Sequence, residues 1–278
     1  MLDVDTTGVG VLTRQRLGMQ QLSPHGLSET WALGFCGDIH WQLLAATLGQ
    51  EEFGFRTADG RPIYAAFCAT RIELPRSRDL LGAELDIRSR LASLGGACIG
   101  SRHEFRQGGQ VIGSLLMLST FVTHDETGSN RRIVRAMPER DCMLPEAGVE
   151  LKELDARARS VLRTLRGQRV DEGVRLTPSP SLDFNAVGLL YFVSFTRLAE
   201  SVSNSVDRVR AREIIYLGNL DQGETVKVLQ NGTEALVARE DGKIIAHVTV
   251  AREAQCHSLA LEERTEAPGT QIQPEERR

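Results

Sequence analysis

Gly37-Asp-Ile-His-Trp-Gln-Leu-Leu-Ala-Ala-Thr-Leu-Gly49, followed after a polar break by Gly60-Arg-Pro-Ile-Tyr-Ala-Ala-Phe-Cys-Ala-Thr-Arg71, decides how this chain is read. The first string is short, apolar on nearly every side and closed by a glycine, the pattern of a helix that lies inside something rather than on a surface. It starts near Ser28 and restarts after Gly37 with Asp38 as N-cap, with Ile39, Leu43, Ala46 and Thr47 along one face. The second string opens a series of extended segments, Pro62–Leu74, Ala83–Leu94, Ala97–Gln107 and Val111–Thr123, divided by turn signals at Gly95-Gly96 and Gly108-Gly109. The last segment is almost continuously apolar, as suits a strand covered on both faces. One buried helix followed by four antiparallel strands describes a sheet wrapped around a helix.

The same order then returns. Residues 124–147 read as a polar loop, and Val149, Leu151, Leu154, Ala158, Val161, Leu162 and Leu165 recur at helical spacing among charges, an amphipathic surface helix over 148–167. Thr177-Pro-Ser-Pro-Ser181 closes that crossover. Asp183-Phe-Asn185 opens a long apolar helix reaching about Val206, followed by strands near Ala211–Leu220, Glu224–Asn231, Thr233–Glu240 and Lys243–Arg252. The repeat rests on element order, not on identity. The expected fold class is therefore α+β, with an N-terminal unit at 16–147, a crossover helix and linker at 148–181 and a C-terminal unit at 182–261. The polar tail at 262–278 buries too little to order itself, and the first dozen residues look similarly loose.

Composition bounds the function. At 278 residues, 41% hydrophobic and 25% charged, the chain fills one large core or two modest ones. A net charge of −4 without a basic stripe argues against a nucleic-acid surface. No apolar run approaches the roughly 18–20 residues of a membrane span, and the N-terminus lacks the features of a signal peptide, so a cytoplasmic, non-membrane protein is expected. The five cysteines, Cys36, Cys68, Cys98, Cys142 and Cys256, are odd in number and scattered, without a C-x-x-C pair, and read as reduced thiols with no metal. Phosphate loops, zinc spacings and G-x-S-x-G elbows are absent.

Four strings, Gly37-Asp-Ile-His-Trp41, Tyr64-Ala-Ala-Phe-Cys-Ala-Thr-Arg71, Ser129-Asn-Arg-Arg-Ile-Val-Arg135 and Asp183-Phe-Asn-Ala-Val-Gly-Leu-Leu-Tyr-Phe192, resemble the bifunctional acyltransferase/decarboxylases of polyketide biosynthesis, of the leinamycin-pathway type. The resemblance runs from about Gly18 to about Arg252. It implies a double hot dog, two fused units each with an antiparallel sheet around a central helix. It also implies decarboxylation of methylmalonyl-CoA and delivery of the propionyl group to an acyl carrier protein, with no cofactor beyond the coenzyme A thioester that is the substrate. Self-association as a homodimer is left open. An ordinary hot-dog thioesterase or dehydratase, and a non-catalytic carrier-binding module, are the alternatives.

The resemblance places Tyr64 at the family's acyl-carrying or proton-donating position; a strand tyrosine with its ring in the core is the other reading. A phenyl ester passes its acyl group readily to a thiol, which suits the first role. Asp38 and His40, two apart, lie about 200° apart around a helix axis and share a cleft only if Asp38 is still in the non-helical cap. Asp38 is read as a catalytic carboxylate or simply a cap. His40 is read as a donor to a thioester oxygen or a satisfied core residue. Asp183 and Asn185 are their counterparts in the second unit, where a helix tip would polarise the thioester carbonyl. Thr120 and Ser119 are candidates for a substrate carboxylate. Arg131, Arg132 and Arg135 suit coenzyme A phosphates, or serve only as solvated loop charges. Cys68 reads as core.

Overall fold

The structure, a computed structural model, describes residues 9–50, 54–75, 80–140 and 142–254. Cys256 and the expected tail at 262–278 lie outside them. The first unit runs β1 (Gly10–Arg16), β2 (Leu22–Ser23), β3 (Gly26–Leu27), α1 (Glu29–Thr47), β4 (Tyr64–Glu73), β5 (Glu84–Ser93), β6 (Cys98–Gln107), β7 (Gln110–His124) and β8 (Ile133–Arg135). Helix α2 (Val149–Leu165) crosses over. The second unit follows with β9 (Val174–Leu176), α3 (Pro180–Asp183), α4 (Ser194–Glu200), β10 (Arg208–Tyr216), β11 (Val226–Asn231), β12 (Glu234–Arg239) and β13 (Ile244–Glu253).

Strand β4 joins the two halves. It pairs with β7 on one side and with β10 on the other, where Ile215 faces Ala69 and Ala211 faces Glu73. One antiparallel sheet therefore runs β1-β5-β6-β7-β4-β10-β13-β12-β11-β9, with β8 on the end of β7. Helix α1 fills the first unit's hollow, where Leu33, Cys36, Ile39, Leu43 and Leu44 are almost fully buried. Phe195 and Leu198 of α4 do the same in the second unit. On the outer face, α2 lays Leu151, Leu154 and Val161 against the sheet, as its periodicity demanded.

Three expectations are corrected. Helix α1 does not restart at Gly37: it is continuous, and its N-cap is Ser28, whose Oγ accepts the Trp31 amide. Asp38 is therefore mid-helix. Gly37 is there for space, since a Cβ at that position would stand 2.9 Å from Phe192 Cζ. The long second helix is also absent. Asn185 Oδ1 accepts the amides of Val187 and Leu189, Gly188 turns at φ +77°, and helix resumes only for the seven residues of α4. Its apolar run, 184–192, is not a helix: it lines a cleft, with Tyr191 and Phe192 set against α1 at Gly34 and Gly37. Finally, residues 10–12 belong to β1, paired in register with β5 from Gly10↔Arg90, and are not loose. The alternation of an edge strand carries too few apolar side chains to stand out in sequence.

A candidate active site at the seam between the units

The β4–β10 junction leaves a cleft of about 550 Å³. Its first-unit wall is Gly37, Asp38 and Trp41 of α1, Tyr64–Cys68 of β4, Thr120 and Val122 of β7, and Ile133 of β8; the second unit contributes 184–187, 189–192, Phe195 and 216–219. Aromatic rings build the floor. Phe67 lies 4.4 Å from Phe192, which meets Tyr191 at 4.8 Å and Tyr216 at 6.3 Å, centroid to centroid. Tyr216 is anchored: its hydroxyl is 3.1 Å from Thr70 Oγ1 and donates to Phe192 O at 3.3 Å. Trp41 Nε1 donates to Ala65 O, tying α1 to β4.

The polar groups are few. No Lys, Arg or His is among the described lining residues, and Asp38 is their one carboxylate. Asp38 opens onto the cleft, yet withdrawal from water holds its carboxyl above the usual range. Tyr191 reaches over the same helix, its hydroxyl 3.6 Å from where a Cβ on Gly34 would be, one turn before Asp38. Burial, with the Asp38 charge in second place, pushes Tyr191 up to about 12, so it is a neutral donor at ordinary pH. A carboxylate that holds a water, beside phenols and hydroxyls that donate to an oxyanion, is the equipment of acyl-transfer chemistry.

The loop after β7 locks the two walls together. Asn130 Nδ2 donates to Gly188 O at 2.6 Å and Leu220 O at 3.0 Å, and its Oδ1 accepts from His124 Nε2 at 2.8 Å. The His124 ring stands edge-on to Tyr64, 6.0 Å between centroids. Asn219 completes the link by bonding both the amide and the carbonyl of Leu190.

No protein-family model and no curated protein matches this chain. Solved structures do. An acyl-ACP thioesterase from Bacteroides thetaiotaomicron superimposes with a TM-score of 0.62 at 11% identity, covering 88% of this chain and 98% of that one. The 12:0-ACP thioesterase from Umbellularia californica gives 0.61 at 10% identity, over 88% and 98%. This chain is a double hot dog.

Within the hot-dog frame the sequence candidates separate. Asp38, Tyr64, Thr120 and Asn185 come together on the cleft. His40 does not, since two residues from Asp38 it points the other way, as the helix angle requires. It is fully buried between Ser101 Oγ, 2.7 Å from Nδ1, and Ser119 Oγ, 2.8 Å from Nε2. Ser119 is therefore spent on His40. Asp183 is held by Arg197 and by the Ser179 amide, and is buried outside the lining. Asn185 lines the cleft while its Oδ1 shapes the turn.

The arginines divide too. Arg131 is taken by Glu224 and Asp241, Arg132 is surface-exposed 4.0 Å from Asp125, and Arg135 lines a second cavity. Cys68 is half-buried: it packs against the core beside Leu118, to whose carbonyl its thiol donates at 3.4 Å, and it also lines both cavities. The helix tip expected at Asp183–Asn185 to polarise a carbonyl is not there, because 184–193 is not helical and α4 begins only at Ser194. Tyr191 and Tyr216 were missed as site residues. Tyr191 stood inside a quoted string, but nothing in its local pattern shows that this run, read as helix, turns back across α1.

Proposed function

We propose that this hot-dog chain acts on an acyl thioester bound in the seam cleft, and that hydrolysis with Asp38 as general base is its reaction. The observation that carries this reading is a carboxylate, raised by its apolar surroundings, that is the one carboxylate on a cleft wall with no cation among its described residues. Asp38 takes the proton of a water as that water attacks the thioester carbon. Tyr191, Tyr64 and Thr120 are the hydroxyls available to the developing oxyanion, and the thiol leaves. The apolar walls, Phe67, Phe192, Val122 and Leu190, take the acyl chain. The overall likeness in fold to acyl-ACP thioesterases supports a carrier-protein thioester as substrate class.

A second reading, decarboxylation of methylmalonyl-CoA with propionyl transfer to an acyl carrier protein, is favoured by the same absence of a cation. A substrate carboxylate placed there has no counter-charge, which favours loss of carbon dioxide over the bound anion. Tyr64, on the same wall, is then the acyl carrier or the donor to the enolate. Incubation with methylmalonyl-CoA and with acyl carrier thioesters tests both. Free acid without carbon dioxide is the expected outcome for hydrolysis; carbon dioxide with a propionyl thioester sets the second reading first. No consumption of any thioester overturns both.

A further inference from the structure

We propose that the acyl group this chain accepts is aromatic, an aryl or arylacetyl thioester, and that the rings of the seam cleft are the residues that select it. This rests on the reading that the cleft binds an acyl thioester. Aromatic side chains make up only 5% of the chain, yet all three of its tyrosines, one of its two tryptophans and four of its nine phenylalanines line this one cleft. Rings that serve only as packing are treated differently. Phe55, Phe105 and Phe121 are sealed in the core, whereas Trp41, Tyr64, Phe67, Phe184 and Phe192 stay half-buried on the cleft. Apolar area left open in this way favours a ligand that covers it.

The rings come from both walls and are held still. The first unit presents Trp41, Tyr64 and Phe67 and the second Phe184, Tyr191 and Tyr216, so a flat group entering the seam meets rings on either side. Trp41 is fixed by its bond to Ala65 O, Tyr216 by Thr70 and Phe192 O, and Phe67 and Tyr191 by packing on Phe192. No methionine is among the described lining residues, so the walls have little of the side-chain freedom that remoulds a site around a flexible chain. An aromatic group set against such rings gains edge-to-face or offset-stacked contacts beyond the area it buries.

The extent of the cleft disfavours a long straight chain. Of α1 it meets only Gly37, Asp38 and Trp41, about 6 Å of helix, and of α4 only Phe195. The hollow farther along α1 is filled by the helix's own side chains, with Ile39, Leu43 and Leu44 almost fully buried. The adjoining second cavity is bordered by Arg135, Asp155 and Arg159, charges ill suited to the end of an alkyl chain. A short, broad group lying across the seam fits the space that is left.

Calorimetric titration of the full chain with pantetheine thioethers, in which a methylene replaces the thioester carbonyl, tests this without turnover. The phenylethyl compound is compared with its cyclohexylethyl, hexyl and dodecyl counterparts, the cyclohexyl ring controlling for size. Binding of the phenylethyl compound about 10-fold tighter than the others is expected, an advantage that shrinks to about twofold or less in Phe192→Leu and in Phe184→Leu. Equal, weaker or absent binding of the phenylethyl compound by wild type overturns the proposal, even if the enzyme hydrolyses alkyl thioesters. A preference left intact in both leucine variants overturns the assignment to these rings. Tight phenylethyl binding without hydrolysis of phenylacetyl-pantetheine supports the proposal while the hydrolytic reading fails.

Discussion

Asp38 shows how much one side chain's meaning depends on where its helix begins. As a cap it would be a structural hydrogen-bond acceptor; in mid-helix it is the cleft's only described carboxylate. Asp38→Asn is expected to lower kcat/KM for thioester hydrolysis by about 100-fold or more, the usual worth of a positioned base. Because burial raises the carboxyl and the base works deprotonated, wild-type activity falls as pH drops through a pKa above the ordinary carboxylate range. That acid limb disappears in the asparagine variant, and an unchanged limb removes Asp38 from the role. Tyr64→Phe tests the transfer reading. Under the transfer reading it abolishes propionyl delivery to carrier protein with the fold intact by circular dichroism, and wild-type transfer rates in that variant exclude Tyr64. Gly37→Ala drives a methyl into the Phe192 ring, so the ring shifts toward the cleft. A loss of about 1–3 kcal/mol in denaturant unfolding, with weaker substrate binding, is expected.

Strands β5, β6 and β7 with α1 enclose a chain of buried polar groups, Ser119–His40–Ser101–His103–Ser89, each step 2.7–2.8 Å. Burial lowers both histidines to about 3, so both are neutral in the fold. Unfolded, each titrates near 6.5. The unfolded state therefore binds more protons between those values, and the stability held above pH 6.5 drains away as pH falls toward 3. The slope approaches about 1.4 kcal/mol per pH unit for each histidine well below pH 6. Urea midpoints from pH 7 to pH 4.5 measure it. His103→Gln is expected to flatten the slope, and a pH-independent midpoint in wild type denies the neutral network. The element order of the first unit was readable because strand-length apolar runs ended at glycine pairs. The use of His40 was not, since its partners, Ser101 and Ser119, come from two strands distant in sequence.

At the scale of the whole molecule, the junction holds because its charges are matched as well as its strands. Arg212 of β10, 2% exposed at the side chain, pairs with Glu29 of α1 at 2.7 Å and with Glu200 of α4 at 3.1 Å, so one guanidinium ties the helices of both units to the shared sheet. Burial already raises Glu29, and losing the arginine leaves its charge uncompensated. Arg212→Ala is expected to cost about 3–5 kcal/mol of unfolding free energy. Since β4–β10 pairing makes the sheet continuous, the variant is expected to unfold in one transition; two separated transitions by fluorescence and circular dichroism would show independent units.

The sequence by itself determined the strands β4 to β7, the crossover helix α2, the strands β10 to β13 and the identity of the buried helix, but not β8, which lies in the stretch 124–147 read as a loop, nor β9. Periodicity, glycine turns and apolar runs are local signals, and local physics settles them. Tertiary structure alone decided that Asp38 and Tyr64 share a cleft with Tyr191 and Asn185, that His40 belongs to the core and that 184–192 is a wall and not a helix. Those outcomes depend on which faces meet when β4 pairs with β10, a contact between residues some 140 positions apart for which no short stretch of chain carries a signal.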